Sequence, residues 1–250
     1  MTSVNKFVFL VLEKHLIWAL LALLCLAGLT VPGFLSARNI LNVMWAAAPL
    51  GCMVLGLFFV LLTANVDLSL ESTFARAPAL AVVLFFQGRP LENYPVLAVI
   101  GTLIFGAFFG FINGVFSVKL QVSSFLVSLG TMLLMRGIVV YLIPEGVYYL
   151  PEGYVYLGSA KLFDVLPVAV LVWGAILLLA WLLIDRHRLG KDILALGNNE
   201  HAAFVAGVNI ERTKIVCFVI AGFLAALGGL LEVGRMESVV ADMGQGDIMM

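Results

Sequence analysis

The chain has 250 residues, of which 63% are hydrophobic and 12% are charged, and its net charge is −1. Soluble globular chains carry about 25% charged residues, more than this chain has. The low charged fraction and the mean hydropathy of +1.12 together exclude a soluble enzyme or binding domain. The small net charge gives no reason to expect a nucleic-acid partner. The composition predicts an all-α fold, a polytopic bundle of transmembrane helices.

The N-terminus is predicted to be a short amphipathic lead-in followed by a first retained span. Lys6 and the apolar residues after it are also typical of a secretory signal peptide. However, Glu13, Lys14 and His15 interrupt the apolar stretch, and no small-residue cleavage site follows it.

Apolar stretches of about 20 residues, the length that crosses the hydrocarbon of a bilayer, recur along the chain. We expect one transmembrane domain over residues 1–250 with seven spans, at 16–34, 39–64, 72–87, 95–118, 124–143, 165–184 and 214–234. Pro49 lies inside the second span, which we expect to be two short helices or one broken helix.

The positions of Lys and Arg predict the orientation, because an excess of these residues marks cytoplasmic loops. If the N-terminus is cytoplasmic, the inner segments contain Lys6, Lys14, Lys119, Arg186, Arg188, Lys191, Arg212 and Lys214. The outer loops then contain only Arg38, Arg89 and Lys161. We therefore predict a multi-pass protein of the inner membrane with a cytoplasmic N-terminus.

A polar segment, ANVDLSLES at 64–72, separates the second and third predicted spans. Asp67 and Ser69 are suited to cap the helix that follows, because their oxygens can accept hydrogen bonds from its first N–H groups. Alternatively, they line a pathway through the membrane, since helix ends beside a cavity form many transporter sites. The sequence does not separate these two roles.

Few other polar side chains lie at membrane depth, and each is expected to face the bundle, a wet cavity or the membrane surface. Asn113 and Arg136 lie among apolar residues, and for Arg136 we expect a buried ion pair or a place in the pathway. Arg76, Glu232 and Arg235 lie near predicted span ends, so we expect them to extend to the interface.

Gly106, Gly110 and Gly114 share one face of the fourth predicted span. Small residues at this spacing allow two helix backbones to approach closely in lipid. We therefore predict that this face packs against another helix.

The predicted outer loop at 144–164 contains four of the six tyrosines, Tyr148, Tyr149, Tyr154 and Tyr156. Tyrosines at this place form either an aromatic belt at the outer membrane interface or a docking rim for an outer partner.

No catalytic or metal site is predicted. The three histidines lie at span ends or in loops, and Cys25, Cys52 and Cys217 lie in apolar runs whose spacing matches no metal motif. The Gly-Lys pair in RLGKDI lacks the first glycine and the Ser or Thr of a phosphate loop. We therefore expect no enzymatic activity and no cofactor bound by this chain.

The long polar connection at 185–213 is predicted to be a cytoplasmic loop. Asn199 is suited to begin a short helix, EHAAFVA, and Gly207 is suited to end it. The small residues Ala202 and Ala203 would let a partner protein approach this helix closely. The alternative is a simple connector helix on the membrane surface, although a connector needs neither the charged approach DRHRLGKD nor a capped helix.

Three segments, in this order along the chain, carry a resemblance to one family. ANVDLSLES resembles the pattern GGIDLSVGS, with matches at Asp67, Leu68, Ser69 and Ser72. NGVFSVKLQVSSFLVSLGTMLLMRG (113–137) resembles NG, a basic residue, then FIVTLGTM and RG. ALGNNEHAAFVAGV resembles AIGGN, AA, then GI, with matches at Ala195, Gly197, Asn199, Ala202, Ala203 and Gly207. Together they resemble the permease subunit of ribose-type monosaccharide ABC importers, within the family of branched-chain amino-acid and sugar permeases.

The resemblance implies a membrane subunit that translocates a monosaccharide or a similar small polar solute. ATP would be bound and hydrolysed on a separate cytoplasmic ABC ATPase subunit. An extracytoplasmic solute-binding protein would deliver the solute, and a second permease copy or a paralogue would complete the transporter in the lipid membrane.

The resemblance also implies roles for individual residues. The connection at 185–213 would contain the coupling helix that contacts the ATPase through Asn199, Glu200, Ala202, Ala203 and Gly207. Apart from the resemblance, we predict that the translocation pathway includes Asp67, Ser69, Asn113, Phe125, Ser128 and Arg136.

The chain also departs from the family pattern. Ala64, Asn65 and Glu71 replace family glycines, and Asn198 replaces another. If those glycines adopt positive φ, the loop at 64–72 is expected to have a different shape here. Family members continue beyond MGQGDIMM with a glycine-rich segment and further spans, so we expect a chain that is truncated relative to the family.

Three alternatives stay open. One is a branched-chain amino-acid ABC permease. The second is an ion-coupled secondary transporter or channel that works through Asp67 or Arg136, and the third is a structural membrane subunit without transport of its own.

Overall fold

The computed structural model of the chain describes residues 3–86 and 94–240, with side chains from residue 17 onward. Arg89, the end of the third predicted span and the terminal MGQGDIMM lie outside the described residues, as do the side chains of the predicted lead-in. The chain divides into two compact units, Met1–Met44 and Trp45–Met250. The expected single domain over residues 1–250 stays a prediction.

The first unit contains α1 (Ser3–Thr30), which covers the predicted lead-in and most of the first span in one helix. It also contains the beginning of α2 (Ala37–Leu61). The Ser36 hydroxyl accepts a hydrogen bond from the backbone N–H of Asn39 (3.2 Å), and this satisfies one of the N–H groups that a helix start leaves free.

The second unit consists of helices joined by short connections, and its described residues include four two-residue strands. The helices are α3 (Ser69–Phe85), α4 (Pro95–Lys119), α5 (Ser124–Leu142), α6 (Glu152–Ser159), α7 (Val168–Arg186), α8 (Arg188–Asn198), α9 (Glu200–Val205) and α10 (Ile210–Met236). The strands are β1 (Val147–Tyr148), β2 (Lys161–Leu162), β3 (Leu166–Pro167) and β4 (Ser238–Val239). β1 pairs antiparallel with β4, and β2 with β3.

Within the described residues, five helices are long and apolar enough to cross a membrane: α2, α4, α5, α7 and α10. The predicted fold class, a polytopic helical membrane bundle, is confirmed. The count of seven spans is not, because the apolar segment Ile17–Thr30 is shorter and α3 has only 17 residues. α3 begins at Ser69, three residues before the predicted start of the third span.

α2 is one continuous helix through Pro49, so neither two short helices nor a broken helix is present. Pro49 is buried, and its carbonyl oxygen lies so close to Gly228 of α10 that a side chain at Gly228 would overlap it. The proline therefore marks a close crossing of α2 and α10.

α3 is enclosed by other helices, because it packs against α4, α5 and α10, and every residue from Ser69 to Ala79 is buried. Glu71 and Arg76 belong to this buried set. The prediction that Arg76 extends to the membrane surface is therefore wrong. A charged side chain at this depth is kept inside the protein, where polar groups replace the water that it has lost.

The prediction that Glu232 extends to the membrane interface is also wrong. Glu232 is buried on α10, and the Arg235 Nε atom donates a hydrogen bond to its carboxylate (3.0 Å). Arg235 lies one turn further along and is partly exposed. The two side chains thus neutralise each other near the end of the helix.

α4 and α10 approach each other through their backbones. Gly106 faces Gly222 and Ala226, Gly110 faces the carbonyl oxygen of Phe218, and Gly114 faces Ile215 and Phe218. Side chains at the first two positions would overlap atoms of α10. The glycine face of α4 therefore packs directly on α10.

The connections of the second unit gather at two ends of the bundle. At one end, the Val66 N–H donates to the Ser124 hydroxyl (3.2 Å), and Gly197 lies against the Leu62 carbonyl oxygen. At the other end, the Trp45 indole N–H donates to the Gly158 carbonyl oxygen (2.8 Å). This grouping agrees with the predicted alternation of inner and outer loops, while the side on which each end lies stays a prediction.

Ala64 occupies a left-handed backbone conformation, with φ at +55°. It is one of the positions where the family pattern has glycine, which adopts this conformation without strain. Asn65, Glu71 and Asn198, the other replaced glycines, have no positive φ. The shape expected from a glycine is thus retained at Ala64, at the cost of strain from its methyl group.

We expect Ala64→Gly to stabilise the protein by about 1 kcal/mol, because an alanine in this conformation is strained by roughly that amount. Thermal unfolding of the purified protein in detergent measures the change. Ala195→Gly is the matched control: Ala195 is also exposed but lies inside α8, so this variant should lose about 1 kcal/mol. A loss in both variants would contradict the strain at Ala64.

Gly110→Ala should destabilise the protein by about 1–3 kcal/mol, because the new methyl group would overlap the Phe218 carbonyl oxygen and force α4 away from α10. Unfolding in a denaturing detergent titration measures the loss. Gly174→Ala on α7 is the control, since a methyl group there meets nothing within 4 Å, and helix propensity predicts no loss.

Candidate functional site

Four polar side chains join the start of α3 to α4 and α5. The Asp67 Oδ1 atom accepts hydrogen bonds from the Ser69 backbone N–H (2.9 Å) and from the Ser69 hydroxyl (2.7 Å). The Asn113 Nδ2 atom donates to the Ser69 hydroxyl oxygen (2.6 Å), and the Thr131 hydroxyl donates to the Asn113 Oδ1 atom (2.7 Å). We name these four residues the polar cluster.

Within the polar cluster, Asp67 caps the beginning of α3. Its Oδ1 atom satisfies the N–H group of Ser69, which has no partner inside the helix. The whole residue is buried, so in this conformation its carboxylate contacts protein and not a solute. Of its two oxygens, Oδ2 is buried without a hydrogen-bond partner among the described residues. Leaving a buried acceptor in this state costs about 1–3 kcal/mol.

Thr131 is the member of the polar cluster that sequence reasoning missed. It lies on α5 in the segment SLGTM, and only the proximity of α4 and α5 shows that its hydroxyl reaches Asn113. A second link runs nearby, from the Ser72 hydroxyl to the Met132 carbonyl oxygen (2.9 Å). α5 is therefore joined to α4 through Thr131 and to α3 through Ser72.

The other proposed pathway residues lie on α5 and outside the polar cluster. Ser128 is buried and donates to the carbonyl oxygen of Phe125 (3.2 Å), whose own side chain is about half exposed. Arg136 is partly exposed and forms no ion pair with any described residue. The buried ion pair considered for Arg136 is thus absent from the part of the chain that the structure describes.

α9 is a short helix whose two ends are both closed by hydrogen bonds. The Asn199 side chain accepts a hydrogen bond from the Ala202 N–H (3.0 Å) at its beginning. At its end, Gly207 has φ at +82° and its N–H donates to the Phe204 carbonyl oxygen (2.9 Å). The Val208 N–H reaches back to the Ala203 carbonyl oxygen (3.0 Å), which completes a Schellman motif. These local bonds give six residues a defined helical shape.

The exposed face of α9 differs from the one expected. Ala203 is 2% exposed, so the expectation that it contacts a partner is wrong: it packs inward against this protein. Ala202 is exposed, but the large exposed side chains are those of Phe204 and Val205, at 68% and 74%. The sequence signal for this face was the apolar pair Phe204 and Val205 in a capped helix within a polar connection.

A polar cavity of about 510 Å³ lies beside α9. Its wall is formed by the end of α4, the connection to α5 and the first turns of α10: Asn65, Ser117, Val118, Gln121, Val122, Ser123, Ser124, Glu200, Ile210, Glu211 and Lys214. Across this cavity the Lys214 Nζ atom donates to both carboxylate oxygens of Glu200, at 2.8 and 2.9 Å. The ion pair joins α9 to α10.

The opposite end of the bundle carries the tyrosines. Tyr148, Tyr149 and Tyr156 are exposed, whereas Tyr154 is fully buried. Its hydroxyl lies 2.9 Å from the Thr102 hydroxyl and donates to the Pro78 carbonyl oxygen (3.3 Å). Burial raises the pKa of the Tyr154 phenol above its ordinary value, so the group stays neutral. Tyr154 is therefore a packing residue, and it belongs neither to an aromatic belt nor to a docking rim.

Among the described residues, no group of three His, Cys, Asp or Glu side chains is arranged to hold a metal ion. Two candidate sites among the described residues are the buried polar cluster and the polar surface around α9.

Comparison with known proteins gives one family. Residues 39–249 match the model of the family described as the branched-chain amino acid transport system / permease component. The ribose import permease protein of Escherichia coli strain K12 is 32% identical over 94% of this chain and 73% of its own length. That of Bacillus subtilis strain 168 is 31% identical, over 90% and 70%. The galactose/methyl galactoside import permease protein of Salmonella typhimurium is 28% identical, over 98% and 78%. No solved structure gives a significant match.

The hydrogen bond between Asn113 and Thr131 should contribute about 1 kcal/mol to the stability of the bundle. We expect Thr131→Val to lose roughly this amount, and Asn113→Ala to lose more, because it also removes the bond to Ser69. The double variant should lose less than the sum of the two single losses. Thermal unfolding of all three variants in detergent measures this coupling. Strictly additive losses would show that the two side chains act independently.

Proposed function

This chain belongs to the family of branched-chain amino acid transport system permease components, and on that premise we propose that it is the membrane subunit of an ATP-driven ABC importer for a monosaccharide. The resemblance read from the three sequence segments is confirmed by the family match. The observation that carries the proposal of ATP coupling is α9, a capped helix that presents two large apolar side chains.

The names of the relatives support a sugar as the solute. They include import permeases for ribose and for galactose or methyl galactoside, and an L-arabinose ABC transporter permease. This favours a monosaccharide over a branched-chain amino acid, which is the alternative within the same family.

In this proposal α9 is the coupling helix, and it contacts a cytoplasmic ABC ATPase subunit through Phe204 and Val205. Exposed aromatic side chains that enter a pocket of a partner contribute most of the binding energy of many interfaces. Asn199 and Gly207 hold the helix in shape, and Ala203 holds it against the permease. The end of the bundle that carries α9 is then cytoplasmic, as is the N-terminus.

The opposite end would receive the solute-binding protein. Exposed aromatic residues at that end, which include Tyr148, Tyr149, Tyr156 and Phe163, support a docking rim there. A second permease copy or a paralogue would complete the transporter, and ATP would be bound by the ATPase partner.

The polar cluster is proposed to border the translocation pathway without being open to it in this conformation. If α3 separates from α4 and α5, the carboxylate of Asp67 and the amide of Asn113 become free to bind hydroxyl groups of a sugar. Their complete burial favours such a closed state. An ion-coupled transporter would instead need Asp67 or Arg136 to bind an ion, and it gives no role to the exposed face of α9.

Phe204→Ser should weaken binding of the ATPase subunit by at least about tenfold, because truncation of a hot-spot anchor typically costs about 2 kcal/mol or more. The measurement is co-purification of the full-length protein with the ABC ATPase encoded nearest to it, followed by titration in detergent. Leu194→Ser is the matched control, since Leu194 is also exposed but lies on α8.

A complex that is retained by the control and lost in Phe204→Ser supports the proposal. If the parent protein binds no ATPase and takes up labelled ribose or galactose in proteoliposomes without ATP, the proposal fails, and an ion-coupled transporter replaces it. Uptake of leucine in place of sugar would favour the amino-acid alternative.

A further inference from the structure

We propose that Glu200 and Lys214 are positioning residues: their ion pair fixes α9 to α10, so that a displacement of α9 moves α10. This inference rests on the proposed function, in which α9 receives the ATPase subunit. Neither residue needs to touch the ATPase or the solute for the pair to act.

The geometry of the pair is that of a strong contact. One ammonium group donates to both oxygens of one carboxylate, at 2.8 and 2.9 Å, and charge-assisted bonds of this kind are stronger than neutral ones. The Lys214 side chain is only 16% exposed, whereas that of Glu200 is 57% exposed. Lys214 is thus held within the body of the protein. Glu200 reaches it from α9, which has six residues.

α9 packs mainly against α8, and its packing contacts with α10 are few. Its caps at Asn199 and Gly207 are made within the segment 199–208, so they shape the helix without fixing its place. Helices this short are unstable unless tertiary contacts hold them. Ala203 packs inward, and in the part of the chain that the structure describes, the Glu200–Lys214 pair supplies the side-chain hydrogen bonds between α9 and any other helix.

The polar cavity explains why packing alone does not hold α9 on this side. Glu200 and Lys214 both line it, and its volume of about 510 Å³ is space that side chains do not fill. A helix beside such a space can shift without compressing a packed core. The ion pair lies at the wall of this space and adds a direct contact between α9 and α10.

α10 is suited to carry a displacement across the bundle. It is a single helix of 27 residues, and Lys214 lies in its second turn. Further along, its backbone contacts Gly106 and Gly110 of α4 and Phe74 of α3. At its far end, Gly234 lies against Gly158, and β4 pairs with β1. A rigid connection between Lys214 and α9 would therefore reach the opposite end of the bundle.

The test compares Glu200→Gln, Glu200→Lys, Lys214→Glu and the exchanged pair Glu200→Lys/Lys214→Glu. Glu211→Gln is the matched control: Glu211 lines the same cavity and carries the same charge, but no ion pair joins it to Lys214 among the described residues. The first readout is hydrogen–deuterium exchange of the amides at 200–208 in the full-length protein. It does not require the ATPase.

We expect Glu200→Gln, Glu200→Lys and Lys214→Glu to raise exchange of these amides by about two- to fivefold, as loss of a half-exposed ion pair predicts. The exchanged pair should restore protection, and Glu211→Gln should leave it unchanged. Unchanged exchange in the single variants, or the same increase in Glu211→Gln, would overturn the positioning role.

The second readout is the number of solute molecules transported per ATP hydrolysed, measured in proteoliposomes that contain the ATPase partner. The single variants should lower this ratio by about the same factor while ATP hydrolysis continues, and the exchanged pair should restore it. A merely structural role would lower transport and hydrolysis together. If the parent protein binds no ATPase, the proposed function has failed. If the parent protein transports solute and the single variants transport as many solute molecules per ATP as it does, only the link from α9 to α10 is refuted.

Discussion

The contact between the backbones of α4 and α10 determines where the other elements of the second unit can lie. Gly106, Gly110 and Gly222 bring the two helices so close that a single methyl group would not fit between them. In lipid there is little hydrophobic gain from bringing helices together, so close van der Waals packing of this kind supplies much of the association energy. α3 packs against both helices, and α5 and α6 pack against one or both. The polar cluster exists because α4, fixed in this way, presents Asn113 to the start of α3.

The same packing gives the second unit a dense core and leaves a more open region at one end. α3, α4 and α10 share a core in which Phe74, Phe218 and Leu230 are almost completely buried. α8 and α9 lie at one end of that core and retain polar surfaces, capped ends and an adjacent cavity. A transporter needs both properties, because a soft bundle would absorb a displacement that a partner imposes, and a fully packed end could not be displaced.

Features that depend on neighbouring residues in the chain could be predicted from the sequence. The spans on α4 and α5 follow from runs of apolar residues, and the cap at Asn199 and the positive φ at Gly207 follow from local hydrogen bonding. Features that depend on tertiary contacts could not. Arg76 resembles a residue at a span end until α3 is known to be enclosed, and Ala203 resembles a docking residue until its inward packing is seen. Ala64 is intermediate: the family pattern indicates a glycine conformation, and only the backbone shows that an alanine adopts it.

The length of α3 has a consequence for how the backbone at its ends is shielded from lipid. Seventeen residues at about 1.5 Å each extend about 25 Å, less than the ~30 Å of bilayer hydrocarbon, and any tilt shortens this reach. Backbone beyond the ends of α3 is tolerated at hydrocarbon depth only where protein shields it from lipid. Just before α3, Thr63 and Asp67 are buried whereas Ala64 and Val66 are exposed, so the protein shields this segment in part. α3 therefore depends on the helices around it, and not on its own length, for the separation of its polar start from lipid.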